Sequence, residues 1–236
     1  MSEVVTANGK TGRTQVCSPA DRITRSLLGY GVVAGPFYVL VVLGQAMLRP
    51  GFDLTRDDAS LLANGSFGWI QVANFLLTGL MVVACAEGLR RAWRDGKGST
   101  WGPRLLAVFG LGMIVAGIFV ADPMNGFPAG APAGRPETIS VHGILHIISA
   151  GIGFLCLVAA CFGIARRFAS QRRRDLAWFS RITGVLFLAA FAGVASGSGS
   201  AAVVIAFWGA LLVTWTWIAT ISIDAYRATG AAATAA

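Results

Sequence analysis

The sequence predicts an all-α protein that crosses a membrane six times. Of its 236 residues, 55% are hydrophobic and only 13% are charged, whereas a soluble domain carries roughly 25% charged residues. Apolar segments of about twenty residues, the length that spans a bilayer, recur six times along the chain. The basic residues fall in short clusters between these segments. Lipid, rather than a large soluble core, is therefore the expected environment of most side chains.

The six predicted spans follow one another without a linker that would separate two domains. Helices are expected because a backbone exposed to lipid finds no hydrogen-bond partner in the bilayer. The spans are 27–48, 68–89, 104–121, 139–165, 181–198 and 201–223.

The ends of the spans complete this prediction. The first span is too long for a signal-peptide core and is predicted to be a membrane anchor. The fifth is short and passes through "SGSGS" at 196–200 directly into the sixth, which predicts a tight hairpin. A single membrane domain is therefore expected over 26–226, with disordered cytoplasmic tails at 1–25 and 227–236.

The distribution of lysine and arginine predicts the orientation. Of the 19 such residues, 16 lie in the two tails, the second-to-third connection and the fourth-to-fifth connection, and only Arg49, Arg56 and Arg135 lie on the other side. Because basic loops stay in the cytoplasm, both termini are predicted to face the cytoplasm. Basic clusters between apolar spans also argue against nucleic acid, which the net charge of +8 would otherwise suggest.

Several classes of function are disfavoured by the motifs that the sequence lacks. There is no GxGxxG after a strand, no Walker-type GK[ST] and no GxSxG, which argues against nucleotide-driven and α/β-hydrolase chemistry. Ionisable groups lie at span ends, whereas a transporter is expected to place them near the midplane. The cysteines show no paired spacing and are interpreted as small packing residues: Cys17, Cys85, Cys156 and Cys161.

Two predicted external loops gather acidic side chains and both histidines of the chain. The second, "ADPMNGFPAGAPAGRPETISVHGILH" at 121–146, begins near Asp122 and ends with His142 and His146 at the start of the fourth span. The first, at 49–69, contributes polar side chains to the same side: Asp53, Asp57, Asp58, Ser60, Asn64 and Ser66.

The two histidines predict a metal site. Residues four apart share one face of a helix, with side-chain origins about 5–6 Å apart, so His142 and His146 could ligate one ion. Asp122, at the end of the third span, would add an oxygen ligand. Three protein ligands and a water form the pattern of catalytic zinc. The prediction is a zinc site at the extracytoplasmic face.

This zinc site would hydrolyse an ester or amide of a lipid-like substrate that arrives from the bilayer. Asp57 or Asp58 is the candidate general base, and Ser60 or Asn125 would orient the substrate. Asn125, Asp57 or Asp58 could also complete the metal shell or orient an imidazole. Membrane lipid is the expected partner.

Simpler interpretations of the same residues remain open. The histidines could donate hydrogen bonds to loop carbonyls, and Asp122 could cap a neighbouring helix. The protein would then be non-catalytic: a small transporter, a sensor of external pH or an accessory subunit. Gln71 and Asn74, with Thr78, form one stripe of the second span. This stripe predicts interhelical hydrogen bonds or, alternatively, a polar lining beneath the external site.

Three segments resemble bacterial six-span membrane proteins of domain of unknown function 998. These segments are "SLLANGSFGW" at 60–69, "ADPMNGFP" at 121–128 and "HGILH" at 142–146. The resemblance covers roughly residues 27–225. It implies the six-span fold and brings no activity with it.

A looser likeness is to membrane hydrolases of the alkaline ceramidase and adiponectin-receptor type. Those proteins use a serine, an aspartate and an HxxxH helix, and they bind zinc. The matching positions are Ser60 or Ser66, Asp122, and His142 with His146. This chain has six predicted spans rather than seven, and it lacks their additional histidine.

Overall fold

The computed structural model describes residues 18–235, with side chains described to residue 230. This part of the chain forms six α-helices, and a short 3-10 helix at Ala59–Ala63 lies in the first long connection. All six α-helices are long and apolar enough to cross a membrane, as the sequence predicted. They are α1 (Pro19–Leu48), α2 (Gly68–Ala92), α3 (Trp101–Ile118), α4 (Val141–Ser170), α5 (Arg174–Ala195) and α6 (Ala201–Ala235).

The six helices form a closed ring in chain order. Each helix packs against its neighbour in sequence, and α6 packs back against α1. The α1–α6 contact includes Tyr38 and Trp215, whose ring centroids lie 5.3 Å apart. We call the end that carries the connections 49–67, 119–140 and 196–200 the histidine end. The opposite end carries the connections 93–100 and 171–173, and we call it the arginine end.

Several helices extend beyond the predicted spans. Ser18 caps α1 by accepting a hydrogen bond from the Asp21 backbone N–H at 3.1 Å, so the helix begins before the apolar segment does. Helix α5 begins at Arg174, seven residues before its predicted span. Helix α6 continues to Ala235, where the sequence predicted a disordered tail, because its last residues are mostly alanine, the best helix former. The predicted tail at 1–17 lies outside the described residues.

Glycines allow α1 to pack closely against α6. A Cβ added at Gly35 would lie 2.7 Å from the Cβ of Trp215, and one added at Gly31 would overlap the Ser222 hydroxyl. These positions therefore need glycine because the neighbouring helix leaves no room for a side chain.

The described cysteines, Cys85, Cys156 and Cys161, are free thiols.

Buried polar side chains join α1 to α2. Gln45 Nε2 donates to Gln71 Oε1 at 2.9 Å, and Asn74 Nδ2 donates to the Tyr38 carbonyl at 3.3 Å. Within α2, the Thr78 hydroxyl donates to Asn74 Oδ1 at 3.1 Å. Gln71 and Asn74 of the predicted stripe thus make interhelical hydrogen bonds, whereas Thr78 bonds within α2. In the described part of the chain, none of the three residues borders the cavity described next.

Candidate functional site

A cavity of about 500 Å³ opens inside the ring at the histidine end. This volume falls within the usual range of small-molecule sites. All six helices border it. Phe154 and Trp215 lie 13 and 14 residues from the histidine ends of α4 and α6, so at 1.5 Å per residue the cavity reaches about 20 Å into the bundle. Its apolar wall includes aromatic side chains from all the helices that border it: Tyr38, Phe75, Phe109, Phe154, Phe191, Phe207 and Trp215.

Polar side chains border this cavity near its mouth. They come from the short 3-10 helix and its N-cap, from the α3–α4 connection and from the first turns of α4. Four of them are predicted site residues, and the fifth, Arg135, is not: Asp58, Ser60, Asp122, His146 and Arg135. The cavity is therefore amphipathic, with an aromatic interior below a polar mouth.

Asp122 forms a hydrogen bond with the start of α4. Its Oδ2 accepts a hydrogen bond from the Ser140 backbone N–H at 2.9 Å. The Ser140 hydroxyl in turn accepts from the Gly143 N–H at 3.0 Å, as an N-cap residue does. The negative charge of Asp122 is also favourable at a helix N-terminus. Asp122 thus plays the capping role that the sequence left open as an alternative to metal binding.

His146 is buried and contacts backbone carbonyls at the end of α3. Its Nδ1 lies 2.9 Å from the carbonyl oxygens of both Ala116 and Phe119. Because carbonyl oxygens only accept, Nδ1 carries the proton, and Nε2 keeps a lone pair in the neutral ring. The last carbonyls of a helix have no partner within the helix, and His146 supplies one here. Nε2 makes no hydrogen bond to any described residue.

His142 does not join His146 at the cavity. It is exposed, and its ring packs edge-on against Phe119 with the centroids 5.5 Å apart. Among residues 18–230, no group of three or more His, Cys, Asp or Glu side chains could hold a metal ion. Asp122 and His146 border the cavity, whereas His142 lies outside its border on the exposed side of α4. The predicted triad of Asp122, His142 and His146 is therefore not assembled as a zinc site in this arrangement.

Asp57 joins the two long connections of the histidine end. It is fully buried and pairs with Arg56 at 2.9 Å. It also accepts from the Asp53 backbone N–H at 2.9 Å and from Asn125 Nδ2 at 3.3 Å. The two oxygens are thus occupied by donors, so the predicted general base Asp57 and the predicted substrate-orienting Asn125 serve to hold each other in place.

Asp58 differs from its neighbour because it has no such partners. It occupies the N-cap position of the short 3-10 helix but makes no capping hydrogen bond. Its Oδ1 is buried and has no hydrogen-bond partner among the described residues. Burial, and secondarily the charge of Asp57, raises the pKa of Asp58 to about 6, although Arg135 acts in the opposite direction. Of the two predicted bases, only Asp58 borders the cavity.

Arg135 spans the top of the cavity. Its guanidinium rests on Gly197 in the α5–α6 turn, where an added Cβ would lie 2.8 Å from both terminal nitrogens. Gly197 also has a positive φ of 83°, which favours glycine independently. In the sequence, Arg135 stands out only as one of the three basic residues on its side, and that rarity was the available signal.

These features define a polytopic membrane protein with an internal amphipathic cavity. A family model described as a protein of unknown function (DUF998) matches residues 32–224, and the chain belongs to this family. No curated protein and no solved structure matches the chain. The likeness to alkaline ceramidases and adiponectin receptors therefore has no support from these comparisons.

Proposed function

We propose that this protein binds a lipid-like amphiphile in the cavity of the histidine end. The observation that carries the proposal is the division of one cavity into an aromatic interior and a polar mouth. Burial of an alkyl chain against aromatic side chains is favourable by roughly 25 cal/mol per Å² of apolar surface. A polar headgroup at the mouth would keep its hydrogen bonds, because Asp58, Ser60 and His146 offer acceptors there.

The geometry of α4 supports access from the bilayer. Ile139 and Ile147 border the cavity while remaining 53% and 57% exposed. They therefore stand where the cavity meets the surface of the ring. On the neighbouring helix, Val194 and Ala195 border the same space. An amphiphile would enter between α4 and α5 with its headgroup at the level of the connections.

A pair of variants on α4 tests this proposal. Ala150 borders the cavity, whereas Ala159 is exposed on the outside of the same helix. We expect 1-octanol to raise the unfolding temperature of the wild type saturably in a maltoside detergent, because a ligand of the folded state stabilises it. Ala150→Phe should weaken this binding about tenfold or more, and Ala159→Phe should not. Equal binding by the wild type and Ala150→Phe would overturn the proposal.

Hydrolysis of the bound molecule is a second candidate function. Asp58, Ser60 and His146 border the same cavity and carry a carboxylate, a hydroxyl and an imidazole nitrogen with a lone pair. These are groups used in nucleophilic and general acid–base catalysis. Mass spectrometry of alkyl esters and amides incubated with the protein tests this candidate. Product release that is lost in both Ser60→Ala and His146→Gln would support it, and release no faster than without protein would refute it.

We further propose that the histidine end faces the extracytoplasmic side of a bacterial cytoplasmic membrane. The support is the concentration of lysine and arginine at the arginine end. In a background without native cysteines, Ser66→Cys at the histidine end should react with an impermeant maleimide in intact cells. Lys97→Cys at the arginine end should react only after lysis. Both positions are exposed, so the reverse pattern would refute this orientation.

A further inference from the structure

Three side chains at the polar mouth of the cavity present hydrogen-bond acceptors. Asp58 brings a carboxylate with a buried oxygen that has no hydrogen-bond partner among the described residues. His146 directs its Nδ1 to the α3 carbonyls, so the neutral tautomer that donates to them has its lone pair on Nε2. Asp122 contributes a second carboxylate, of which one oxygen is bonded to the Ser140 N–H. Such a mouth favours a ligand that donates hydrogen bonds.

The charges at the mouth favour a cation. Asp57 forms an ion pair with Arg56 at 2.9 Å and does not border the cavity. Asp58, Asp122 and Arg135 are the charged residues among those that border the cavity in the described chain. Arg135 is exposed and so acts through water, where charges interact weakly. Asp58 is largely withdrawn from water, and its charge acts through a medium of lower dielectric constant.

The walls below the mouth are suited to the same kind of ligand. The rings of Tyr38 and Trp215 are tilted by 40° with their centroids 5.3 Å apart, and Phe109 lies 6.2 Å from Trp215. Aromatic side chains offer large apolar surfaces, which suit an alkyl chain that reaches down from the mouth. The mouth and the interior therefore suit the two ends of one cationic amphiphile.

From these contacts we infer that the ligand of this cavity is an alkylammonium amphiphile whose positive headgroup pairs with Asp58. This inference rests on the proposed function, since it names the chemical class of the molecule that the cavity binds. The alkyl chain lies among the aromatic side chains, and the ammonium group lies at the mouth. Asp58 is half-buried with one buried oxygen, and no described residue lies in contact with it as a counter-ion. The headgroup supplies that counter-ion.

The test compares three probes with the same chain in one nonionic detergent: octylammonium, octyl sulfate and 1-octanol. We expect the ammonium probe to bind at least about tenfold more tightly than octyl sulfate. Asp58→Asn should remove about tenfold of the ammonium affinity and leave the affinity for 1-octanol unchanged. Asp53→Asn is the matched control, because Asp53 lies in the same connection but is exposed and bonded to Thr55.

The pH dependence of ammonium binding provides a second measurement. Between pH 5 and pH 7 the affinity should rise about tenfold as Asp58 ionises, because its pKa is raised to about 6. Asp58→Asn should flatten this rise. The other titratable or charged groups that face Asp58 are Asp57 beside it, Arg135 and Asp122 from the α3–α4 connection, His146 on α4 and Tyr38 on α1. All of these remain in the variant, so a rise that persists in Asp58→Asn would overturn the pairing.

The three probes separate the failure of this inference from the failure of the proposed function. If 1-octanol binds and Ala150→Phe blocks it, but the ammonium probe has no advantage or Asp58→Asn has no effect, the cationic class is refuted and the cavity remains an amphiphile site. Preferential binding of octyl sulfate would likewise refute it. If Ala150→Phe weakens the binding of none of the three probes, both proposals fall.

Discussion

The carboxylate of Asp122 occupies the space that a side chain at Gly143 would need. A Cβ at Gly143 would overlap Oδ2 of Asp122 and lie 2.7 Å from its Cγ. The same Oδ2 accepts the Ser140 N–H. The glycine of "HGILH" and the aspartate of "ADPMNGFP" are therefore two halves of one contact between the end of α3 and the start of α4.

Gly143→Ala should destabilise the protein by about 1–3 kcal/mol, because the carboxylate must move away from the Ser140 N–H. Alanine is otherwise the better helix former, so a loss of stability points to this contact. A double-mutant cycle of thermal unfolding measures it. The cost of Gly143→Ala should vanish on an Asp122→Ala background, and an equal cost on both backgrounds would contradict the assignment.

Asp57→Asn should cost about 1–3 kcal/mol of unfolding free energy. The substitution removes the charge of a buried carboxylate that pairs with the exposed Arg56, and it weakens the link between the two long connections of the histidine end. Glu137→Gln, an exposed acid in the second of these connections, is the control and should change stability by less than about 0.5 kcal/mol. Chemical unfolding of both variants measures the difference. Similar effects of the two variants would show that the Asp57 contacts contribute little.

Asp58→Asn should have the opposite sign at neutral pH. In the folded protein the pKa of Asp58 is raised from 3.8 to about 6, so the folded state binds more protons than the unfolded state between these values. The contribution of Asp58 to stability is therefore fully present below about pH 4 and is lost as pH rises through about 6. Replacing it with asparagine should stabilise the protein at pH 7 by on the order of 2 kcal/mol.

The measurement for Asp58 is the difference in unfolding temperature between the wild type and Asp58→Asn from pH 4 to pH 8. Other titrating groups are common to both proteins and cancel in the difference. The advantage of the variant should grow between about pH 4 and pH 6 and then level off. A difference that is independent of pH would show that the pKa of Asp58 is not raised.

The membrane architecture follows from the sequence because lipid restricts what the chain can do. Spans of about twenty apolar residues and caps such as Ser18 and Ser140 are local signals, and they place six helices to within a few residues. The extension of α5 back to Arg174 was missed because its first turns are polar. Hydropathy measures where lipid begins, whereas hydrogen bonding decides where a helix begins.

The roles of the site residues depend on contacts between distant parts of the chain. Asp57 and Asp58 are adjacent and chemically identical, but Asp57 bonds to Arg56 and the Asp53 N–H nearby and to Asn125, 68 residues away. The packing of Arg135 against Gly197 likewise joins two connections that no local pattern relates. For His146 the sequence left both metal and carbonyl partners open, and the position of α3 supplies carbonyl partners for Nδ1.

The polar contacts between α1 and α2 should affect stability without affecting the cavity. Asn74→Leu removes the hydrogen bonds to the Tyr38 carbonyl and from Thr78, and we expect a loss of about 1–3 kcal/mol. Its affinity for 1-octanol should equal that of the wild type, because Asn74 lies outside the cavity border. Weakened octanol binding in a folded Asn74→Leu protein would mean that the cavity depends on this part of the bundle.

Elemental analysis of the purified protein tests the zinc site that the sequence predicts. A metal ion would have to recruit His142 from the surface and compete with the Ser140 N–H for Asp122. We therefore expect less than one zinc per chain after incubation with zinc and removal of the excess. Asp122→Ala should still lower the unfolding temperature, since it removes a helix cap, whereas His142→Ala should change it little. One ion per chain that is lost in Asp122→Ala, His142→Ala and His146→Ala alike would instead establish the metal site and require α4 to shift when the ion binds.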